Sequence, residues 1–144
     1  MQQLMDHLAG GPVYLLTAAQ GGAPVPPQDV TADDYRKWVD EALGVLADRA
    51  VLARTCTSPL GFEWTLAQAV AGTFMDTLVH TWDLAVATGR DRTLDPVLVE
   101  ACVAMFLPDM PERGRAGGLV GPAVPVPPDA SDQDRLLAAM GRRP

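Results

Sequence analysis

An apolar stretch from Thr65 to Thr88 constrains most strongly what this chain can fold into. The stretch contains no proline, and Gly89 follows it directly. Glycine is the favoured residue just after a helix end, because it adopts the left-handed backbone conformation without strain. The pattern therefore predicts one long, buried helix, which needs other helices or a sheet to cover its apolar surface.

Three further segments carry helix-start signals. Thr31 with Asp34 forms a capping-box pattern before apolar residues that recur at steps of three and four, which predicts a helix over 32–53. Asp95 followed by Pro96 predicts a helix over 97–107 that Pro108 ends. Ser131 with Asp134 predicts a short last helix closed by Gly141. We therefore expect an all-α fold.

The remaining segments contain glycine and proline. Residues 1–8 have helical spacing and carry His7, and Gly10, Gly11 and Pro12 are expected to end that helix. The pattern over 13–19 is ambiguous, and 21–28 is expected to be a loop. The Pro/Gly-rich segment 113–130 is predicted to be extended.

The size and charge of the chain limit its function. With 144 residues, 48% of them apolar, the chain is expected to form a single domain over 1–144. A formal net charge of −7 argues against nucleic acid and anionic membranes as partners, because both bind Lys and Arg. No apolar run approaches the ~20 residues of a spanning helix, and the start lacks a basic flank, so we expect a cytoplasmic protein. Cys56 and Cys102 are expected to be packing residues.

Asp76 and His80 are the residues most suggestive of chemistry. They are one helical turn apart and project from the same face of the long helix, so that both can bind one divalent metal ion. The chain has two histidines, and the other, His7, can complete a site of three ligands with open positions. Zinc suits this set best, and nickel or iron(II) also fits. Asp83 lies close enough along the helix to orient a ligand.

A simpler interpretation is open at this point. Asp76 and His80 also fit an ordinary ion pair within a helix, with His7 exposed near the chain start, and spacing alone favours that interpretation. Trp82 is expected in the core or a pocket wall, and Arg142 with Arg143 in a solvated tail.

Several blocks of the sequence resemble a known family in order. His7-Leu8 with Gly10, Ser58-Pro59-Leu60-Gly61 and the block from Val79 to Ala85 with Ala87-Thr88-Gly89 resemble the metal-binding domain of mycothiol-dependent maleylpyruvate isomerases. The closing segment, from Gly121-Pro122 to Gly141-Arg142, resembles an actinobacterial metal-binding subfamily. The block His80-Thr81-Trp82-Asp83-Leu84-Ala85 is the most specific.

The resemblance implies a DinB-like four-helix bundle with His7, Asp76 and His80 as metal ligands. Members begin with a complete first helix, whereas this chain starts only a turn and a half before His7, so we expect an N-terminally truncated bundle. An apolar stripe left bare in this way would favour a homodimer. Asp76 stands where members usually have Glu, a longer side chain.

The implied function is that of a divalent-metal-binding protein, an isomerase or S-transferase-like enzyme that uses a low-molecular-weight thiol such as mycothiol to isomerise small electrophiles or to conjugate the thiol to them. No catalytic residue besides the metal ligands is predicted. Two alternatives stay open: a non-catalytic metal-binding or interaction protein, and a metal-dependent hydrolase.

Overall fold

The computed structural model of the chain describes residues 1–22, 25–59, 61–107 and 109–144. These residues form seven helices and one small antiparallel sheet, so the expected mostly helical fold is confirmed. In chain order the elements are α1 (Gln2–Gln20), α2 (Ala32–Leu46), α3 (Arg49–Leu52), β1 (Thr55–Thr57), β2 (Glu63–Thr65), α4 (Leu66–Thr88), α5 (Pro96–Phe106), α6 (Met110–Ala116) and α7 (Asp132–Ala139).

The described residues divide into two compact units, 1–80 and 81–144. Helix α4 contributes residues 66–80 to the first unit and 81–88 to the second. No helix among the described residues combines the length and apolar character needed to span a bilayer.

Helix α1 is longer than the sequence predicts. Gly10, Gly11 and Pro12 were expected to end it, but it continues to Gln20, where Gly21 adopts a left-handed conformation with φ 76°. Pro12 costs the helix one hydrogen bond, yet the ring is buried. The turns beyond Pro12 carry the buried side chains of the first unit's core, and their burial stabilises the helix past the local break signal. These residues are Tyr14, Leu15, Ala18 and Ala19.

The predicted helix over 32–53 is two helices. Thr31 and Asp34 form the expected capping box at the start of α2. That helix ends at Leu46, and the Asp48 carboxylate then accepts a hydrogen bond from the Ala50 N–H at 2.8 Å, which starts α3. The continuous prediction was wrong because an aspartate inside an apolar pattern can act as a new N-cap.

The hairpin of β1 and β2 was not predicted. Cys56 pairs with Trp64 across it, and the turn includes the expected loop around Ser58, of which Leu60 lies outside the described residues. The Trp64 indole N–H donates to the Tyr14 hydroxyl at 2.7 Å, and that hydroxyl donates to the Thr57 carbonyl at 2.9 Å. These bonds attach the hairpin to α1.

The second unit contains the end of α4 and helices α5 to α7. As predicted, α4 ends before Gly89, which has φ 66°, and Asp95 caps α5. Pro108, the predicted end signal of α5, lies outside the described residues. The predicted extended segment 113–130 is wrong at its start, because residues up to Ala116 belong to α6, where Pro111 occupies the tolerated first turn. Ser131 caps α7 as predicted.

Candidate metal centre

Two helices of the first unit bring the three predicted ligands together. Helix α1 supplies His7, and α4 supplies Asp76 and His80 from successive turns of one face. His7 and Asp76 are 69 positions apart in the chain, so only packing of α1 against α4 brings them together. One nitrogen or oxygen atom of each residue lies within 4.8 Å of the others.

The Asp76 carboxylate lies between the two imidazole rings. His7 Nε2 is 3.2 Å from Asp76 Oδ2 and 3.3 Å from Oδ1, and His80 Nε2 is 3.4 Å from Oδ1. The two rings meet edge to face, with centroids 4.6 Å apart and planes at 77°. In both histidines the nitrogen that faces the Asp76 carboxylate is Nε2.

The site opens to solvent on the His7 side. The exposed fraction of the side chain is 53% for His7, 41% for Asp76 and 19% for His80. Burial raises the pKa of the Asp76 carboxyl, but the hydrogen bonds and positive charge of His7 and His80 outweigh it and hold that pKa below its usual range. Asp76 is therefore an anion at neutral pH, which is the form that binds a metal ion.

The separations between the Asp76 carboxylate and each histidine nitrogen fit zinc, and the three ligand atoms lie within 4.8 Å of one another. Two atoms bound at ~2.0–2.1 Å to one tetrahedral zinc lie roughly 3.3–3.4 Å apart. The nitrogen–oxygen distances of 3.2 to 3.4 Å match that separation. The same distances suit a carboxylate that accepts hydrogen bonds from two imidazoles, in which case each Nε2 carries a proton that a metal ion would displace.

Two contacts that were not predicted from the sequence lie beside His7 on α1. The preceding residue, Asp6, accepts hydrogen bonds from the Val30 backbone N–H at 2.9 Å and the Gln2 amide at 2.8 Å, which lower its pKa. One turn after His7, Gly11 faces Thr73 of α4. The sequence offered one signal for the contact between Gly11 and Thr73, namely a glycine one helical turn after the candidate ligand His7.

Asp83 and Arg142 belong to an ion pair of the second unit. Arg142 Nη2 is 2.7 Å from Asp83 Oδ2, Nε is 3.3 Å from Oδ1, and both side chains are about three-quarters buried. The expectation of a solvated tail was thus wrong for Arg142, because a buried carboxylate gives it a partner. The Asp83 carboxylate thus accepts hydrogen bonds from the Arg142 guanidinium.

The remaining predicted residues are placed as follows. Trp82 is buried, as expected. Both cysteines are free thiols, Cys102 buried and Cys56 half-buried. Burial raises the pKa of the Cys102 thiol to about 11, so this thiol stays protonated at neutral pH.

Comparison with known proteins gives relatives without a stated function. No family model matches the chain, and no solved structure matches it. Two uncharacterized proteins of Mycobacterium tuberculosis, one from strain CDC 1551 / Oshkosh and one from strain ATCC 25618 / H37Rv, are each 29% identical over 145 residues. The match covers 99% of this chain and 79% of each relative. The actinobacterial source of these relatives agrees with the subfamily that the closing segment resembles.

Proposed function

We propose that this protein binds one divalent metal ion through His7, Asp76 and His80 and uses it to activate a low-molecular-weight thiol toward small electrophiles. The observation that carries the proposal is the meeting of these three side chains, from two helices, with their ligand atoms within 4.8 Å. A DinB-like bundle of the maleylpyruvate isomerase type, as the block from His80 to Ala85 implies, is part of the proposal.

Zinc is the metal proposed first. Two imidazole nitrogens and one carboxylate oxygen make a donor set that zinc accepts with one or more positions left over, and nickel or iron(II) accepts it too. Asp76 supplies the negative charge, and the 53% exposed His7 leaves a route for a small molecule from solvent. His80, at 19% exposure, forms the enclosed side of the site.

The chemistry would be nucleophilic addition by sulfur. When bound, a divalent metal supplies a Lewis acid that lowers the pKa of a coordinated thiol, such as the thiol of mycothiol, so that a thiolate is available at neutral pH. The sulfur would form a bond to the electrophilic carbon of a conjugated double bond, whose electron pair moves toward the carbonyl. Loss of the same thiolate after rotation isomerises the double bond, whereas protonation of the adduct completes a transfer.

The metal is tested first. Untagged protein is purified and its metal content is measured by elemental mass spectrometry, alongside His7→Ala, His80→Ala and Asp76→Asn. We expect about one zinc, nickel or iron per chain in the parent and none in the three variants. Asp33→Asn is the matched control, because Asp33 has an exposed side chain on α2 and pairs with Arg36. Metal-free parent protein would refute the proposal.

The thiol reaction is tested on the metal-loaded protein. Consumption of thiol with a conjugated dicarbonyl electrophile is followed with loaded protein, with metal-free protein and with Asp76→Asn. We expect loaded protein alone to exceed the uncatalysed rate, by at least about tenfold. Bound metal without any acceleration would leave the non-catalytic alternative, and thiol-independent ester cleavage would favour the hydrolase.

A further inference from the structure

Helices α1 and α4 approach closely where a glycine of one faces a threonine of the other. A Cβ atom added to Gly11 would lie 2.8 Å from Thr73 Cγ2, a separation that real Cβ atoms essentially never show. Ordinary contact begins near 3.4 Å, so an alanine here would require a shift of about 0.6 Å. Thr73 is β-branched and has few rotamers in a helix, which limits how far it can turn aside.

This contact lies one turn from the metal site on both helices. Gly11 is four residues after His7 on α1, and Thr73 is three residues before Asp76 on α4, so each shares a face with a ligand. The nearest contact between the ligands themselves is 3.2 Å, from His7 Nε2 to Asp76 Oδ2. A change in the helix separation at Gly11 would therefore change the distance between His7 and Asp76.

We infer that Gly11 is a positioning residue for the metal site: the absence of a side chain lets α1 approach α4 closely enough for His7 to share one metal ion with Asp76 and His80. The inference rests on the proposed metal binding. Metal sites require their ligands to be held within about 0.5 Å of the binding geometry, and the shift that alanine would demand exceeds this tolerance.

Gly10 provides a matched control within the same helix. A Cβ at Gly10 would meet no atom within 4 Å. Gly10→Ala and Gly11→Ala make the same chemical change at adjacent positions and favour the helix equally, because alanine is the better helix former. They differ in whether the new methyl group meets Thr73.

The experiment measures zinc affinity by competition with a chromophoric chelator. We expect Gly11→Ala to bind zinc about 10- to 100-fold more weakly than the parent, as is typical when support for a ligand is lost, and Gly10→Ala to bind within about threefold of it. Adding Thr73→Ser, which removes the Cγ2 methyl and keeps the hydroxyl, should restore the affinity of Gly11→Ala. Equal affinity of Gly11→Ala and the parent, or failure of Thr73→Ser to restore binding, would overturn the inference.

A second measurement separates positioning from general loss of structure. If Gly11 acts through His7, the effects of Gly11→Ala and His7→Ala on affinity should not add, because each removes the same ligand. Fully additive effects would overturn the inference. Circular dichroism checks folding; should Gly11→Ala not fold, the variant that also carries Thr73→Ser must fold and bind zinc like the parent, or the inference fails.

The two proposals fail in distinguishable ways. If the parent binds no zinc, the proposed function itself is wrong. If the parent binds zinc and Gly11→Ala binds it equally well, the metal site stands and only the role of Gly11 is wrong.

Discussion

Replacing Tyr14 by phenylalanine removes the hydroxyl that joins α1 to the hairpin. Tyr14 is 7% exposed, and its hydroxyl accepts from the Trp64 indole at 2.7 Å while it donates to the Thr57 carbonyl at 2.9 Å. Each net hydrogen bond is worth roughly 1 kcal/mol, and a donor left without an acceptor costs ~1–3 kcal/mol when buried. Trp64 is only half-buried and Thr57 is exposed, so water can satisfy part of the loss.

We therefore expect Tyr14→Phe to lower the free energy of unfolding by about 2 kcal/mol. The assay is urea unfolding near pH 8, followed by circular dichroism and tryptophan fluorescence, with the slope against urea required to stay constant. Tyr35→Phe is the matched control, because the described part of the chain shows no hydrogen bond for the Tyr35 hydroxyl. A loss below about 0.5 kcal/mol, or an equal loss in the control, would refute the reasoning.

The effect of Tyr14→Phe on the free energy of unfolding should depend on pH, in a direction that follows from the structure. Burial and the Cys56 side chain raise the pKa of Tyr14 to about 12, although the Trp64 donor acts in the opposite direction. An unfolded tyrosine titrates near pH ~10, so above that pH the unfolded chain loses this proton before the folded chain does. The stabilising effect of Tyr14 is thus complete below about pH 10 and is lost as the pH rises through about 12. The difference in the free energy of unfolding between the parent and Tyr14→Phe should therefore decrease between about pH 10 and pH 12. A difference that stays constant with pH would contradict the explanation.

Three further predictions concern the metal, the ion pair and the thiols. A hundredfold excess of zinc over its dissociation constant should stabilise the parent by about 2.7 kcal/mol in thermal unfolding and should not stabilise His80→Ala; equal stabilisation of both would place zinc elsewhere. Asp83→Ala and Arg142→Ala should each cost about 1–2 kcal/mol in urea unfolding, and the double variant should cost less than their sum, since each single change leaves one largely buried charge without its partner in this pair. Cys102 should react with a thiol reagent only as fast as the protein unfolds, because it is buried and its pKa is about 11, whereas Cys56 should react first; fast labelling of Cys102 in mass spectrometry would contradict this.

Helix ends with a local chemical signal were predictable from the sequence. Thr31, Asp95 and Ser131 cap the helices that they were expected to cap, and Gly89 and Gly141 follow helix ends with positive φ. These signals need only the residue itself and its neighbours within one turn, so they can be read without knowledge of the fold.

Where a local signal competes with packing, the structure differs from the prediction. Pro12 should end α1 on local grounds, but the buried side chains after it hold the helix together. Cys56 and Trp64 pair in strands of three residues each, too short to show the alternation that identifies a strand. In both cases the deciding contacts come from residues distant in the chain.

The candidate site divides in the same way. The shared helix face of Asp76 and His80 follows from their spacing. The contact of His7 with this face depends on how α1 packs against α4, and residue spacing carries no information on that packing. His7 was expected at the site because of the resemblance to a family. The role proposed for Gly11 does not follow from spacing either, because it depends on which atom of α4 faces the glycine.

The continuity of α4 determines where the chain can be shortened without disturbing the candidate metal site. The first compact unit ends at His80, yet the helix that carries His80 continues to Thr88 without a break. A shortened chain that stopped at this boundary would leave His80 in the final turn, where the carbonyl groups lack partners and helices fray. Residues 81–88 keep His80 in the interior of the helix, where its backbone is hydrogen-bonded on both sides. Expressing residues 1–80 alone would therefore disturb the candidate metal site, whereas a fragment that extends to Thr88 keeps the whole of α4.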